Sequence, residues 1–522
     1  MIMAFEEEAL EFIERKIVEA LILSEEFTRK VLPYLDPKIL ESDAARTITR
    51  WCLNYWNEYA KPPRENIRAI FYSHLSKLSK DMAEWIETVL ASIYASLASN
   101  EDPDLDYLID QSIQYLRKRR IIFQMNKAAE CLERNEIDKA ESALWEGIDI
   151  DAQSEFGIPI DPFSEDTFPK IQKAFAERAD PLIRTPKALG KFWDREFYRG
   201  AFVALMGREK IGKTFMLIEL AMNAIRTGSK VLFFQAGDMT EEQQLRRIAI
   251  WLARRSNEPW YCKGMWIPEL DCWKNLTDMC DKQVREDFGD QVFPSNTDKK
   301  KTLTMDMLIS AANDFQNHKT CRNCDEIEGF PWLKWQPPVP ILTDKEAHEL
   351  LTKFGRIHKG SFRLLTYPNE TLDTREVRNK ILFLKRNEGF VPDVIIIDYA
   401  DIMAPDPDSY RMDYRHQQGR TWQGLRAISQ EFNCLVITAT QIKAQGYKRE
   451  LLTMSDFSED KRKFAHVTAM YGLNQSVEEK RIGIMRVNEI VVRESDYDPL
   501  KPVWLLGRLQ IGRPVLWSFT NF

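Results

Sequence analysis

Apolar positions in the first 150 residues recur every three or four places: Leu10, Ile13, Ile17 and Leu21, then Ile48, Trp51, Tyr55 and Tyr59. That spacing lines one face of a helix and predicts an all-α N-terminal domain over 1–150. Lys61-Pro62-Pro63 closes the second helix, since proline cannot continue the ladder of amide bonds. A further long pattern starts at Leu105, passes through Leu108, Ile109, Ile113 and Leu116, and continues into QMNKAAECLERN. The turn before it is NEDP at 100–103. This part carries no catalytic constellation, and its aromatic stripe reads as core and helix-packing surface.

Pro159, Pro162 and Pro169 interrupt the pattern, so 151–185 reads as a linker. The period then changes. Short continuous apolar runs, AFVALM, KVLFFQ, FRLLTY, DVIIID, CLVITAT, HVTAMYGLN and RIGIMRVNEIVVRES, alternate with helical stretches over 186–522. Runs of this kind predict an α/β domain whose sheet is buried on both faces and parallel at its centre. Two features break the alternation. One is an insertion rich in Trp, Cys, Asp and Lys, over 261–340, and the other is the late strands from 466 onward, expected as antiparallel additions to the sheet edge.

Composition narrows the functional classes. With 522 residues and 44% apolar positions the chain can build more than one core. A net charge of −7 and a pI near 5.7 exclude a uniformly basic surface, so any contact with nucleic acid has to be local. No run approaches the roughly 18 apolar residues of a membrane helix, and MIMAFEEEALEF lacks the basic and apolar regions of a signal peptide. The expectation is a soluble cytoplasmic protein with no membrane partner.

The chemistry begins at GREKIGKT, 207–214, between an apolar strand and the helical FMLIELAMNAI. Gly207 and Gly212 let the backbone of Arg208, Glu209, Lys210 and Ile211 turn its amides inward round phosphates, Lys213 supplies a point charge, and Thr214 offers a hydroxyl to Mg²⁺. The run VIII ends in Asp398, a carboxylate delivered to the sheet edge where ligands bind. The next candidate is Asp238, after KVLFFQ and before the capping-box start Thr240-Glu-Glu-Gln243, placed to orient an attacking water. Glu241 and Glu242 read as partners of the helix dipole. At the same edge Gln441 can hydrogen-bond a γ-phosphate and report its loss to the chain that follows.

Two segments leave these strands directly. One carries Arg411, Arg415 and Arg420 interleaved with Tyr410, Tyr414 and His416; the other carries Lys443, Lys448, Arg449, Lys461, Arg462 and Lys463. Cations on loops beside a γ-phosphate suit single-stranded DNA held by its backbone, against the plainer reading of solvated surface. Five of the eight cysteines crowd between 262 and 324. Cys272, Cys280, Cys321 and Cys324 suit a structural Zn²⁺, with Cys262 and His318 as substitutes, against free thiols in a packed insertion.

Taken in order, GREKIGKT, GDM before the QLRR helix, DVIIIDYADIM and VITATQ resemble the DnaB-type replicative DNA helicases, ring-forming enzymes built on a RecA-like P-loop NTPase core, and the phage-encoded members above all. IERKIVEALILSEEF resembles the start of that family's helical N-terminal domain. The resemblance implies an ATP-dependent helicase working as a homo-hexamer on single-stranded DNA, with 5′ to 3′ movement, a primase and a loader as partners, and the host cytoplasm as its place if phage-encoded. It implies ATP and Mg²⁺ at Lys213, Thr214 and Asp398, with the acid before Met239 as catalytic base. That acid is Asp238, where the family usually has Glu. It also implies an arginine reaching the neighbouring subunit's nucleotide, here Arg493, while Val491 stands where the family has Lys and Arg486 is the candidate replacement. The rival reading is a RecA-fold ATPase for recombination or initiation that assembles on DNA without unwinding it.

Overall fold

The computed structural model describes residues 2–99, 105–137, 139–140, 143–144, 162–164, 167–177, 180–281, 291–324, 327–442, 449–456 and 461–522. The chain divides into two compact units, Met1–Asp161 and Pro162–Phe522.

The smaller unit is helical, with helices Ile2–Leu23, Glu25–Val31, Asp43–Tyr59, Asn66–His74, Lys80–Ser99 and Leu105–Glu133. Ile17, Leu21, Ile48 and Trp51 from the predicted stripes meet Phe27, Phe71, Ile86 and Leu116 in one core. The second stripe leaves that core at its end, where Tyr59 is exposed. Its helix stops there in a left-handed Ala60, just before the two prolines. Buried Glu14 accepts the backbone N–H groups of Glu41 at 2.6 Å and Ser42 at 2.9 Å and the Tyr115 hydroxyl at 2.7 Å, tying three helical segments together. The predicted turn at 100–103 lies outside the described residues.

The larger unit is built on a nine-stranded sheet. Its strands, with an accompanying hairpin, are β1 (Phe202–Gly207), β2 (Val231–Gln235), β3 (Met265–Cys272), β4 (Gly329–Gln336), β5 (Phe362–Thr366), β6 (Val394–Asp398), β7 (Leu435–Thr440), β8 (Ala469–Asn474), β9 (Ile484–Val492), β10 (Val503–Arg508) and β11 (Arg513–Phe519). The spatial order is β11-β10-β9-β8-β1-β7-β6-β2-β5, with β3 and β4 paired separately. Strands β8, β1, β7, β6, β2 and β5 are parallel, and β9, β10 and β11 add antiparallel. The expected antiparallel edge therefore starts one strand later than the sequence implied: β8 pairs parallel with β1.

The continuous apolar runs are explained by two cores. Along β6, Val394 and Ile396 enter one, and Ile395 and Ile397 enter the other. A strand alternates its side chains between faces, so both faces of β6 are buried. Helix Lys213–Thr227 fills the first core with Met216, Leu217 and Leu220, and helix Tyr414–Glu431 fills the second with Trp422, Leu425 and Ile428.

The insertion has a regular core. β3 and β4 pair antiparallel from Met265↔Gln336 to Cys272↔Gly329. Leu270, Trp273, Leu276, Phe330 and Trp332 then form a third core with Ile484, Leu506 and Phe519 of the antiparallel strands. In the stretch read as a linker, helix Phe168–Glu177 leaves Phe168, Ile171 and Phe175 exposed, while Pro159 lies outside the described residues.

Candidate functional site

β1 ends at Gly207, and the loop after it turns into helix Lys213–Thr227 through Gly212 at φ 104°. That left-handed angle costs glycine nothing and strains any other residue. Ile211 is buried beneath the loop, Arg208 is half-buried, and Glu209 and Lys210 are exposed. The Lys213 ammonium donates to the carbonyls of Gly207 at 2.9 Å and Arg208 at 3.2 Å, and Lys480 donates to the Lys210 carbonyl at 3.4 Å. Burial holds the Lys213 ammonium below the usual lysine range, opposed by the carboxylates of Asp401, Asp398, Glu209 and Asp238.

Thr214 and Asp398 meet at the carboxyl edge of the sheet. The Thr214 hydroxyl donates to Asp398 Oδ1 at 3.2 Å, and Asp398 is 1% exposed. Its carboxyl is pushed up to about 6 by burial, against the hydrogen bond from Thr214 and the charges of Arg247 and Lys213. The other oxygen, Oδ2, is buried with no hydrogen-bond partner in the protein. A hydroxyl beside a carboxylate with an unsatisfied oxygen fits a hard divalent cation.

β2 lies next to β6 with Gln235 opposite Asp398, and the Ala236 N–H donates to the Asp398 carbonyl at 2.9 Å. Gly237 then turns at φ 126°, and Asp238 follows, exposed at the mouth of the site. Asp238 acts electrostatically on Asp398, Lys213, Arg247 and Tyr399. The predicted capping box forms, with Thr240 Oγ1 accepting from the Gln243 N–H at 3.4 Å. At the end of β7, the Gln441 side chain donates to the Tyr399 hydroxyl at 2.8 Å, and the Tyr399 ring lies 5.8 Å from the Lys213 nitrogen.

These contacts bring Lys213, Thr214, Asp238, Asp398 and Gln441 to one edge. The fold that places them there is similar to that of a DnaB-like replicative helicase. The solved structure in question is of such a helicase and its interactions with primase; at 14% identity the match covers 96% of this chain and 98% of that one, with a TM-score of 0.50. A second solved structure, a separate ATPase domain, is matched at 13% identity over 69% of this chain and 100% of that one, with a TM-score of 0.43. No family model matches the chain, and no curated protein matches it in sequence.

Arg247 and Asp401 belong to the same edge and were given no role from the sequence. Arg247 stands over the Phe215 ring at 4.8 Å, and its guanidinium is lowered by burial while the charge of Asp398 acts the other way. Nothing in the sequence around it marks that approach, which depends on how the two helices pack.

Arg493 lies elsewhere. β8 runs parallel to β1 with Gly207 opposite Leu473, whereas Val492 at the end of β9 stands opposite Ala469. Arg493, whose N–H donates to the Thr468 carbonyl, is thus at the amino edge of the parallel strands, about 16 Å of strand rise from the edge where Gly207 lies. It is exposed, and its guanidinium donates to the Ala465 carbonyl. Arg486, the candidate replacement for the missing Lys at Val491, is buried and paired with Glu479 at 2.8 Å and Glu450 at 3.5 Å. A guanidinium committed in that way is not a second free charge for a neighbour.

The candidate DNA residues divide. Arg411, Arg415, Arg420, Tyr410, Tyr414 and His416 are exposed, but from Tyr414 the chain is helix Tyr414–Glu431, capped by Asp413, so Arg415 and Arg420 stand on a helix and not on a loop. Arg449 pairs with Asp456 at 2.7 Å. Lys443 and Lys448 lie outside the described residues, as do the side chains of Lys461 and Arg462. Lys463 is fully buried, so it is no surface cation.

The zinc expectation finds no support. All eight cysteines are free, and among the described residues no group of three or more His, Cys, Asp or Glu side chains could hold a metal. Asp271 joins the segments that carry these cysteines: it accepts the N–H groups of Cys272 at 2.7 Å and Cys321 at 2.8 Å and the Asn275 amide at 3.1 Å, and lies 2.6 Å from His318 Nε2. His318, so held, packs on Trp332 at 4.5 Å, and burial raises the Cys272 thiol above its ordinary value.

Among the described residues no helix is long and apolar enough to cross a membrane.

Proposed function

We propose that the chain is an ATP-driven DNA helicase that assembles as a homo-hexameric ring and moves along single-stranded DNA. The observation that carries this reading is the convergence of Lys213, Thr214, Asp398 and Gln441 at the end of the parallel strands, where the chain leaves directly into segments rich in cations. The similarity of fold to a replicative helicase supports the same reading, and the helical first unit favours it over a factor that merely coats DNA.

Lys213 exchanges the Gly207 and Arg208 carbonyls for phosphate oxygens of ATP. Thr214 and Asp398 would hold Mg²⁺, which neutralises charge on the phosphates when bound. Asp238 orients the attacking water and takes its proton, and Gln441 answers to the presence of the γ-phosphate. Arg493 serves the nucleotide of a neighbouring subunit, which makes the ring a requirement of the chemistry. Arg411, Arg415, Arg420, Lys443, Lys448, Arg449, Lys461 and Arg462 are the cations offered to the DNA backbone. A primase and a loader are the partners that follow from this role.

The test is ATP turnover with and without single-stranded DNA. Stimulation by DNA is the expected result, and turnover indifferent to DNA counts against a motor. Stimulated turnover without strand displacement selects the rival, an ATPase that assembles on DNA and does not unwind it.

A further inference from the structure

One carboxylate closes the base of the segment that carries the second group of candidate DNA cations. Asp401 sits in the short 3-10 turn Ala400–Ile402, just after β6. Its Oδ2 accepts the Thr440 hydroxyl at 2.6 Å and the Gln441 N–H at 3.0 Å, and its Oδ1 accepts the Lys463 ammonium at 2.9 Å. Gln441 opens the excursion between β7 and β8 and Lys463 lies near its close, so the Asp401 carboxylate touches both sides of the cation-bearing stretch.

Lys463 is the unexpected member. It lies among cations that the sequence places toward DNA, yet it is fully buried, with its nitrogen 5.3 Å from the centre of the Trp422 ring. A lysine is withdrawn from water only where a charged partner and further contacts compensate it. Asp401 also lies near enough to the nucleotide loop for its charge to act on the Lys213 ammonium, as do those of Asp398, Glu209 and Asp238. The same group therefore feels the ammonium that meets the phosphates and touches both sides of the segment that would meet DNA.

We propose that the Asp401–Lys463 pair is the clamp that couples the nucleotide site to the segment between Gln441 and Lys463, with Lys463 as a positioning residue and not a DNA contact. The inference rests on the reading of the site as a DNA-stimulated ATPase.

Steady-state ATP hydrolysis by the full chain, with and without an oligo(dT) strand, tests it on the wild type, Lys463→Met and Lys463→Arg. Lys463→Met is expected to keep the basal rate and the KM for ATP, which also shows that it folds, while its stimulation by DNA falls by roughly tenfold. Lys463→Arg keeps the cation and most of the stimulation. Stimulation of Lys463→Met equal to the wild type overturns the clamp. A basal rate lost together with the stimulation overturns it too, because the pair would then belong to the fold or the nucleotide site, and the double variant Asp401→Asn, Lys463→Met distinguishes those two. A wild type that DNA does not stimulate removes the underlying reading instead, and the clamp with it.

Discussion

Thr214 donates its hydroxyl to Asp398 at 3.2 Å, joining the helix after β1 to the last residue of β6 across 184 positions of sequence. The pair sits at the carboxyl edge of a parallel sheet, with one Asp398 oxygen buried and unsatisfied. Removing either partner, by Thr214→Ala or Asp398→Asn, should lower Mg²⁺-dependent ATP hydrolysis by about a hundredfold or more. Thr214→Ser, which keeps the hydroxyl, should retain most of the activity. Steady-state hydrolysis over a Mg²⁺ titration makes the comparison.

Gly212 is a second point of vulnerability. Its φ is 104°, and a Cβ there would lie 2.9 Å from Leu509 Cδ1. Gly212→Ala should cost about 1–2 kcal/mol of stability from backbone strain alone and weaken nucleotide binding. Adding Leu509→Ala removes the steric part and leaves the strain. Thermal melts and nucleotide titrations of the single and double variants separate the two contributions.

Arg493 stands at the edge of the sheet away from the loop that follows Gly207 in its own chain. Arg493→Ala should therefore bind ATP normally and fail to hydrolyse it. Lys213→Ala fails for the opposite reason, lacking the loop's ammonium. Mixing the two inactive proteins creates interfaces that join an intact loop to an intact Arg493, so part of the hydrolysis should return. A mixture as inactive as its components would mean that Arg493 acts within its own subunit or not at all.

Glu489 on β9 gives a pH signature. Burial pushes its carboxyl up to about 7, with Glu196 beside it adding to the rise and Arg195 opposing it. The folded state holds that proton more tightly than the unfolded chain, whose carboxyl titrates near 4.5. The stabilisation is complete below that unfolded value and is lost as pH rises through about 7. Glu489→Gln, neutral throughout, should melt with the wild type at pH about 5 and above it at pH about 8, by on the order of 1 kcal/mol once partial exposure is allowed for.

The parallel strands were legible because a strand buried on both faces must be apolar throughout, as Val394 to Ile397 are. The meeting of Thr214 with Asp398 was legible because a carboxylate that ends a strand of a parallel sheet arrives at the same edge as the loop leaving another strand. Strand direction was not: nothing in the composition of β8 distinguishes a parallel neighbour of β1 from an antiparallel edge. In the insertion, cysteine spacing is visible in a sequence, whereas the contacts of Asp271 with Cys272, Asn275, His318 and Cys321 form only after the hairpin closes. Lys463 and Arg486 misled for a related reason. A cation in a basic stretch reads as surface until the fold supplies Asp401 or Glu479 to bury it.

Strand displacement from a forked duplex, in the presence of ATP and Mg²⁺, tests the central claim most directly. The wild type should release the displaced strand, while Lys213→Ala should release none. A wild type that hydrolyses ATP on single-stranded DNA and leaves the fork intact would contradict the account.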